Sequence, residues 1–200
     1  NWQLSQRGGE EMEEIYRLDP PELVRVAKEE GCLGIAFTYS DPVVFYEYVS
    51  DTGALAHAAG LVNTCVTAAY IQPKPLRSLC RVLDACHVDL KAFDEGFYRR
   101  VNGATLQPVL DALVILREEG VWIEITNLMI PTLNDDLAMI RSMARWVRDR
   151  LGAQTPLHFS RFQPLYRMRN LPPTPTESLE RAQREAQDAG LEYVYVDNVL

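Results

Sequence analysis

The chain has 200 residues, and 20 lysines and arginines stand against 28 aspartates and glutamates, a net charge of −8. A hydrophobic fraction of 47% and a charged fraction of 24% are globular proportions, which exclude a disordered tail or a collagen-like fibre. The acidic balance argues against nucleic acid or an anionic membrane surface as partner, because both reward a basic face. No apolar run approaches the roughly 20 residues that span a bilayer, and no signal-peptide pattern opens the chain. The four cysteines, Cys32, Cys65, Cys80 and Cys86, show no CxxC pairing. They read as reduced thiols of a cytoplasmic protein. The length suits one domain over 1–200, and a start at Asn1 rather than Met reads as a trimmed or processed chain.

Asp19-Pro20 reads as an N-cap and first-turn proline of a helix that stops at Gly31. An apolar run of strand length, Leu33–Phe37, follows, and a second helix begins over Val43–Tyr48 after Asp41-Pro42. The strand Leu61–Val66 leads to a short helix over Pro75–Leu83, and Cys86–Leu90 to a helix over Leu106–Glu119 that ends at Gly120. After the strand Val121–Ile130, Asn134 is placed to cap a helix over Asp135–Leu151. The strand Pro156–Phe162, a helix over Glu177–Ala189 capped by Thr176, and the strand Tyr193–Val196 complete the alternation.

Strict alternation implies an α/β fold of parallel strands with right-handed crossovers, either a whole or partial (β/α) barrel or an open doubly wound sheet. No strand is followed by GxGxxG, and Gly8-Gly9 has the wrong context for it. Strand faces favour the barrel. Gly34, Ala36, Thr38 and Ser40 share one face and Ile35, Phe37 and Tyr39 the other. His87, Asp89 and Lys91 oppose Val88 and Leu90, and Glu124 and Thr126 oppose Ile123 and Ile125. A strand buried on both sides of an open sheet is apolar on both faces; repeated polar groups on one face suit an interior that holds a ligand.

Ligands of such folds gather at the carboxyl ends of the strands. Alternation puts Asp89 and Lys91 on one face at such an end, either as a salt bridge closing the barrel mouth or as a ligand-contacting pair. Asp41 in Tyr39-Ser40-Asp41-Pro42 is a helix cap, a ligand contact or both. His57 reads as a surface or packing residue, and His87 and His158 as structural hydrogen-bonding groups low in the barrel. No His/Cys/Asp/Glu set has zinc-site spacing, and there is neither a GxSxG elbow nor a Walker loop.

At these strand ends the sequence resembles the radical S-adenosylmethionine (radical SAM) superfamily, closest to proteins like pyruvate formate-lyase activating enzyme of the AmmeMemoRadiSam type. Asn1-Trp2-Gln3-Leu4-Ser5-Gln6 resembles the segment after the third cysteine of the family's cluster loop. Gly34–Pro42 is similar to its second strand, with Ser40-Asp41 where Asn-Glu is usual. Val66-Thr67-Ala68-Ala69-Tyr70-Ile71 resembles Val-Thr-Asn-Gly-Tyr-Ile, and Val88-Asp89-Leu90-Lys91 the Asp-Leu-Lys strand. Glu124–Asp135 resembles the fifth-strand motif, and Phe159-Ser160-Arg161-Phe162-Gln163-Pro164 the sixth, with Gln163 in place of His.

The resemblance implies a partial (β/α)6 barrel that lacks its first strand in this chain. It also implies a SAM site drawn from Tyr39, Ser40, Asp41, Thr67, Asp89, Lys91, Thr126, Asn127 and Gln163. The intact family holds a [4Fe–4S] cluster and cleaves SAM reductively to a 5′-deoxyadenosyl radical. The three cluster cysteines, spaced Cys-x3-Cys-x2-Cys, would fall before Asn1, and none of the four cysteines here has that spacing. SAM binding is therefore expected to be weak or lost in this chain, with no iron held. One reading is the core of an enzyme that abstracts hydrogen from a protein partner; another is a non-catalytic, chaperone-like partner-binding protein with the same fold. A third is an aldolase-like barrel with Lys91 as Schiff-base nucleophile.

Overall fold

The computed structural model describes residues 17–199, so the motif Asn1–Gln6 and the pair Gly8-Gly9 lie outside the described residues. Helix α1 (Pro20–Glu29) starts where Asp19 accepts from the Glu22 N–H at 2.9 Å, with proline in its first turn. Strand β1 (Gly34–Phe37) is followed by a 3-10 turn (Pro42–Phe45) and α2 (Tyr46–Ala58). Then come β2 (Val62–Thr67), α3 (Pro73–Leu79) and β3 (Ala85–Asp89). A short turn of helix (Glu95–Phe97) runs into a π-helical turn (Tyr98–Asn102) ahead of α4 (Gln107–Glu118). Strand β4 (Trp122–Met129), α5 (Leu137–Leu151), β5 (Leu157–Arg161), α6 (Thr176–Asp188) and β6 (Val194–Asp197) follow.

The six strands among the described residues lie in one parallel sheet in sequence order, β1-β2-β3-β4-β5-β6. That is the partial-barrel arrangement, not the doubly wound one, in which the order reverses at a switch point. The faces separate as alternation requires. Ile35, Phe37, Cys65, Cys86, Val88, Ile123, Ile125, Leu157 and Phe159 are buried beneath the helices. The other face is open: Ala36, Val62, Val66, Trp122 and Tyr195 are exposed on it. Gly34 is required where β1 and β2 approach, since a Cβ there would lie 2.2 Å from the Val62 carbonyl oxygen. No helix among the described residues is long and apolar enough to cross a membrane.

Four local expectations are corrected. The third helix begins at Pro73 and ends at Leu79, earlier than Pro75–Leu83. Asp136, not Asn134, caps α5, accepting from the Met139 N–H at 2.8 Å; Asn134 is buried and its amide is used elsewhere. Thr176 is the first residue of α6 and not its cap. Tyr39 does not extend β1 on the helix-covered face. The strand ends at Phe37, and Tyr39 turns outward with φ +70° and 68% exposure.

The amino ends of the strands are tied by side chains. Asp84 accepts from the Asn63 N–H at 2.6 Å and faces His57 Nε2 at 2.8 Å. Burial pushes the Asp84 carboxyl up, but the Asn63 N–H and His57 outweigh it and hold it below its ordinary value. A depressed folded-state value contributes stability that is present above the unfolded carboxyl's pKa of ~3.9 and is lost as pH falls through the folded value. Asp84→Asn should therefore flatten the acid side of the stability curve below about pH 4, read as urea midpoints against pH. Parallel acid limbs for the two proteins would contradict this role.

Candidate functional site: the carboxyl ends of the strands on the open face

Residues of neighbouring strands line up across the open face. One row runs Asp89, Thr126, His158, Tyr195 and another runs Val66, His87, Glu124. Lys91 Nζ lies 2.7 Å from Asp89 Oδ2, and both side chains are about 30% exposed, at 30% and 29%. Solvent can thus reach the pair. A cavity of about 290 Å³ adjoins it, lined by Ala68, Tyr70, Asp89, Lys91 and Tyr98 among others. The Tyr98 hydroxyl accepts from the Lys91 N–H at 3.2 Å, and burial pushes its pKa up to about 12, so the phenol stays protonated.

Lys91 is held from behind. Asn127 Nδ2 donates to the carbonyls of Leu90 at 2.8 Å and Lys91 at 3.1 Å. Asn134 Nδ2 donates to Lys91 O at 2.6 Å and Leu128 O at 2.9 Å, while its Oδ1 accepts from the Ile130 N–H at 2.6 Å. Two buried amides thus clamp the end of β3 to β4. Sequence reasoning missed Asn134 in this role, because a cap beside a helix start and a buried clamp use the same residue type.

The nine expected ligand residues separate into groups. Asp89, Lys91 and Thr126 stand together on the open face. Gln163 borders a different groove, of about 1020 Å³, with Leu128, Arg161, Tyr166, Asp197 and Asn198. Asn127 points to the helix-covered face and is fully buried. Thr67 is also on that face; its hydroxyl donates to Asp41 Oδ1 at 2.7 Å and accepts from the Ala69 N–H. Asp41 Oδ1 also accepts from the Val43 N–H at 3.2 Å, and its Oδ2 from the Ala68 N–H at 2.9 Å. Asp41 thus joins the β1 end to the β2 end. Tyr39 and Ser40 are exposed on the loop after β1.

The histidines form a network that strand-by-strand reading could not assemble. His87 Nε2 bonds Thr126 Oγ1. His158 faces Asp197 with Nδ1 at 3.0 Å and Glu124 with Nε2 at 3.2 Å. Burial, then the neighbouring His158, lower the His87 pKa, so its ring is neutral at neutral pH.

The cysteines do not fit an iron–sulfur cluster at this rim. Cys65, Cys80 and Cys86 are buried, and the paired Cys65 and Cys86 face the helices with their sulfurs 3.0 Å apart. Contact with Cys65, then burial, raises the Cys86 thiol well above its ordinary value, and burial pushes Cys80 up to about 11. Cluster ligands must be thiolates. Cys32 is exposed and stands just before β1, at the end opposite the rim.

The backbone of this end is unusual. Among the described residues, five non-glycine residues have positive φ, and each follows a strand's carboxyl end: Tyr39, Ala69, Thr132, Tyr166 and Asn198. At the amino ends, the left-handed turns after helices are taken by glycines, among them Gly31, Gly60, Gly120 and Gly190.

The Radical SAM superfamily model matches residues 5–146. The chain is 42% identical over 200 residues to an uncharacterised protein of Methanocaldococcus jannaschii, covering all of this chain and 59% of that one. It is 29% identical over 115 residues to the benzylsuccinate synthase activating enzyme of Thauera aromatica, covering 57% of this chain and 35% of the enzyme. It therefore spans less than two thirds of either relative. A crystal structure of a domain of pyruvate-formate lyase-activating enzyme from Bacteroides vulgatus superposes with a TM-score of 0.70 at 16% identity, over 82% of this chain and 99% of that one. With the sequential parallel sheet and a ligand-sized rim cavity already in place, the match over residues 5–146 settles the family: the chain belongs to the radical SAM superfamily.

Proposed function

We propose that the open-face rim binds SAM and that the chain is the core domain of an activating-enzyme-like protein that acts on a protein partner. The observation that carries this reading is the solvent-reachable Asp89–Lys91 pair beside Thr126 and a cavity of about 290 Å³. SAM carries an ammonium, a carboxylate and ribose hydroxyls. Asp89 suits the cationic or hydroxyl donors, Lys91 the carboxylate, and Thr126 a neutral hydrogen bond. Bound SAM supplies the superfamily's chemistry, a carbon-centred radical from one-electron cleavage of a carbon–sulfur bond. The four cysteines have neither cluster spacing nor a place at this rim, and the role read here for the chain's own residues is to bind and orient SAM and shape the cavity. The likeness to an activating enzyme supports a protein partner.

Titration calorimetry with SAM tests the reading. For the 200-residue chain titrated with no iron added, and with Asp41, Thr67 and Asn127 bonded within the protein, the expected Kd is in the high-micromolar range, on the order of 10⁻⁴ M. Asp89→Ala should weaken binding at least about tenfold, the loss of one charge-assisted bond. No heat of SAM binding at millimolar ligand would remove the SAM reading and favour the non-catalytic partner-binding one.

A further inference from the structure

The open face holds a second cavity, of about 470 Å³, between β4 and β6, lined by Trp122, Glu124, Gln154, His158, Tyr193 and Tyr195, with Pro156. Its composition is aromatic and acidic. Trp122 is 57% exposed, Tyr195 46% and Tyr193 44%, although a large ring in a strand is ordinarily covered. Trp122 Nε1 donates to Glu124 Oε1 at 3.3 Å, which sets the indole beside the carboxylate. Tyr195 stacks one face on His158, with centroids 4.9 Å apart and planes 28° apart. The Glu124 side chain keeps 38% of its surface exposed. No lysine or arginine lines the cavity among the described residues.

Rings with a negative π face beside an accessible carboxylate are the arrangement that attracts a desolvated organic cation. The net charge of −8 adds a long-range field of the same sign. An anion would meet the carboxylates of Glu124 and Asp197, with no lysine or arginine of the cavity to offset them and His158 already held between the two. A neutral apolar group would cover the exposed part of the Glu124 carboxylate, whose bonds to Trp122 Nε1 and His158 Nε2 it could not add to, which is unfavourable.

We propose that this cavity binds an organic ammonium ion, with its charge on Glu124 and its alkyl groups against Trp122, Tyr193 and Tyr195. The cavity lies across the sheet from the Asp89–Lys91 pair. β6 is three strand spacings from β3, roughly 14 Å at ~4.8 Å each. An ammonium-bearing substrate or peptide side chain could occupy it while the rim holds a second ligand. The proposal does not depend on SAM binding.

The test titrates the 200-residue chain, without SAM, at neutral pH and constant ionic strength. The probes are n-butylammonium and choline, each against its neutral isostere, 1-butanol and 3,3-dimethylbutan-1-ol. The readout is the Trp122 indole N–H signal in proton–nitrogen correlation spectra, assigned with Trp122→Phe. A saturable shift with at least one cation, at least tenfold tighter than with its isostere, is expected; which cation binds better tells a primary from a quaternary ammonium. Glu124→Gln should weaken the cation about tenfold and leave the isostere unchanged, and Tyr195→Leu should weaken both cations, with the remaining amide pattern showing that each variant is folded. Equal shifts from cation and isostere, or none, would overturn the proposal. Cation binding by a chain that fails to bind SAM would leave it standing and remove only the SAM reading.

Discussion

Asn134→Ala should lower the unfolding free energy by about 3 kcal/mol. The side chain is 3% exposed and makes three bonds to backbone, donating to Lys91 O and Leu128 O and accepting from Ile130 N. A buried backbone group deprived of its partner costs roughly 1–3 kcal/mol. Lys91 O keeps Asn127 as donor, so about two such losses are expected rather than three. Asn134→Asp is the sharper control. It retains the acceptor for Ile130 but places a carboxylate against two carbonyl oxygens, and should cost at least as much as alanine despite equal size. Urea unfolding with an unchanged m-value measures both. A loss under about 0.5 kcal/mol, the ordinary range of surface changes, would mean that the clamp does not hold β3 to β4.

The second large effect is expected at Asp41. Its carboxylate accepts from the Val43 N–H, the Thr67 hydroxyl and the Ala68 N–H. Bonds to a charged acceptor contribute about 1.5–3 kcal/mol each, but this site is half-buried and water replaces part of them, so Asp41→Ala should cost about 3 kcal/mol in total. Asp41→Asn should fall between the two. One oxygen can still accept from Val43 and Thr67, while the amide NH2 meets the Ala68 N–H, donor against donor. If Asp41→Ala were neutral in stability yet abolished SAM binding, the carboxylate would be a ligand contact and not a fold clamp.

Most of the fold was legible in the sequence because apolar alternation and helix stops are local signals. All six strand runs overlap the observed strands, and Gly31, Gly120 and Gly190 stand just past helix ends. Asp89 and Lys91 were legible for the same reason, since two residues apart on a strand means one face. Thr67 and Asn127 were expected at the ligand site from family position alone; counted along their strands they share the face of Cys65 and Ile125, and so turn toward the helices. The reach of Asn134 to Lys91, 43 residues away, was not legible, nor was the Glu124–His158–Asp197 group, whose members are 34 and 39 residues apart. Only the register of the strands brings them together.

The five left-handed non-glycine residues after the strands have a consequence for motion. An L-residue in that region costs roughly 1–2 kcal/mol, and a β-branched one such as Thr132 is the least suited to it. At the opposite end of the sheet the same turns are made by glycine, without that cost. The two ends therefore differ in how tightly the chain is sprung. Local opening is therefore expected to start at the carboxyl-end loops before it reaches the helix-to-strand returns. A ligand bound at the rim would meet the end of the sheet that is easier to rearrange, mounted on the end that is harder to move.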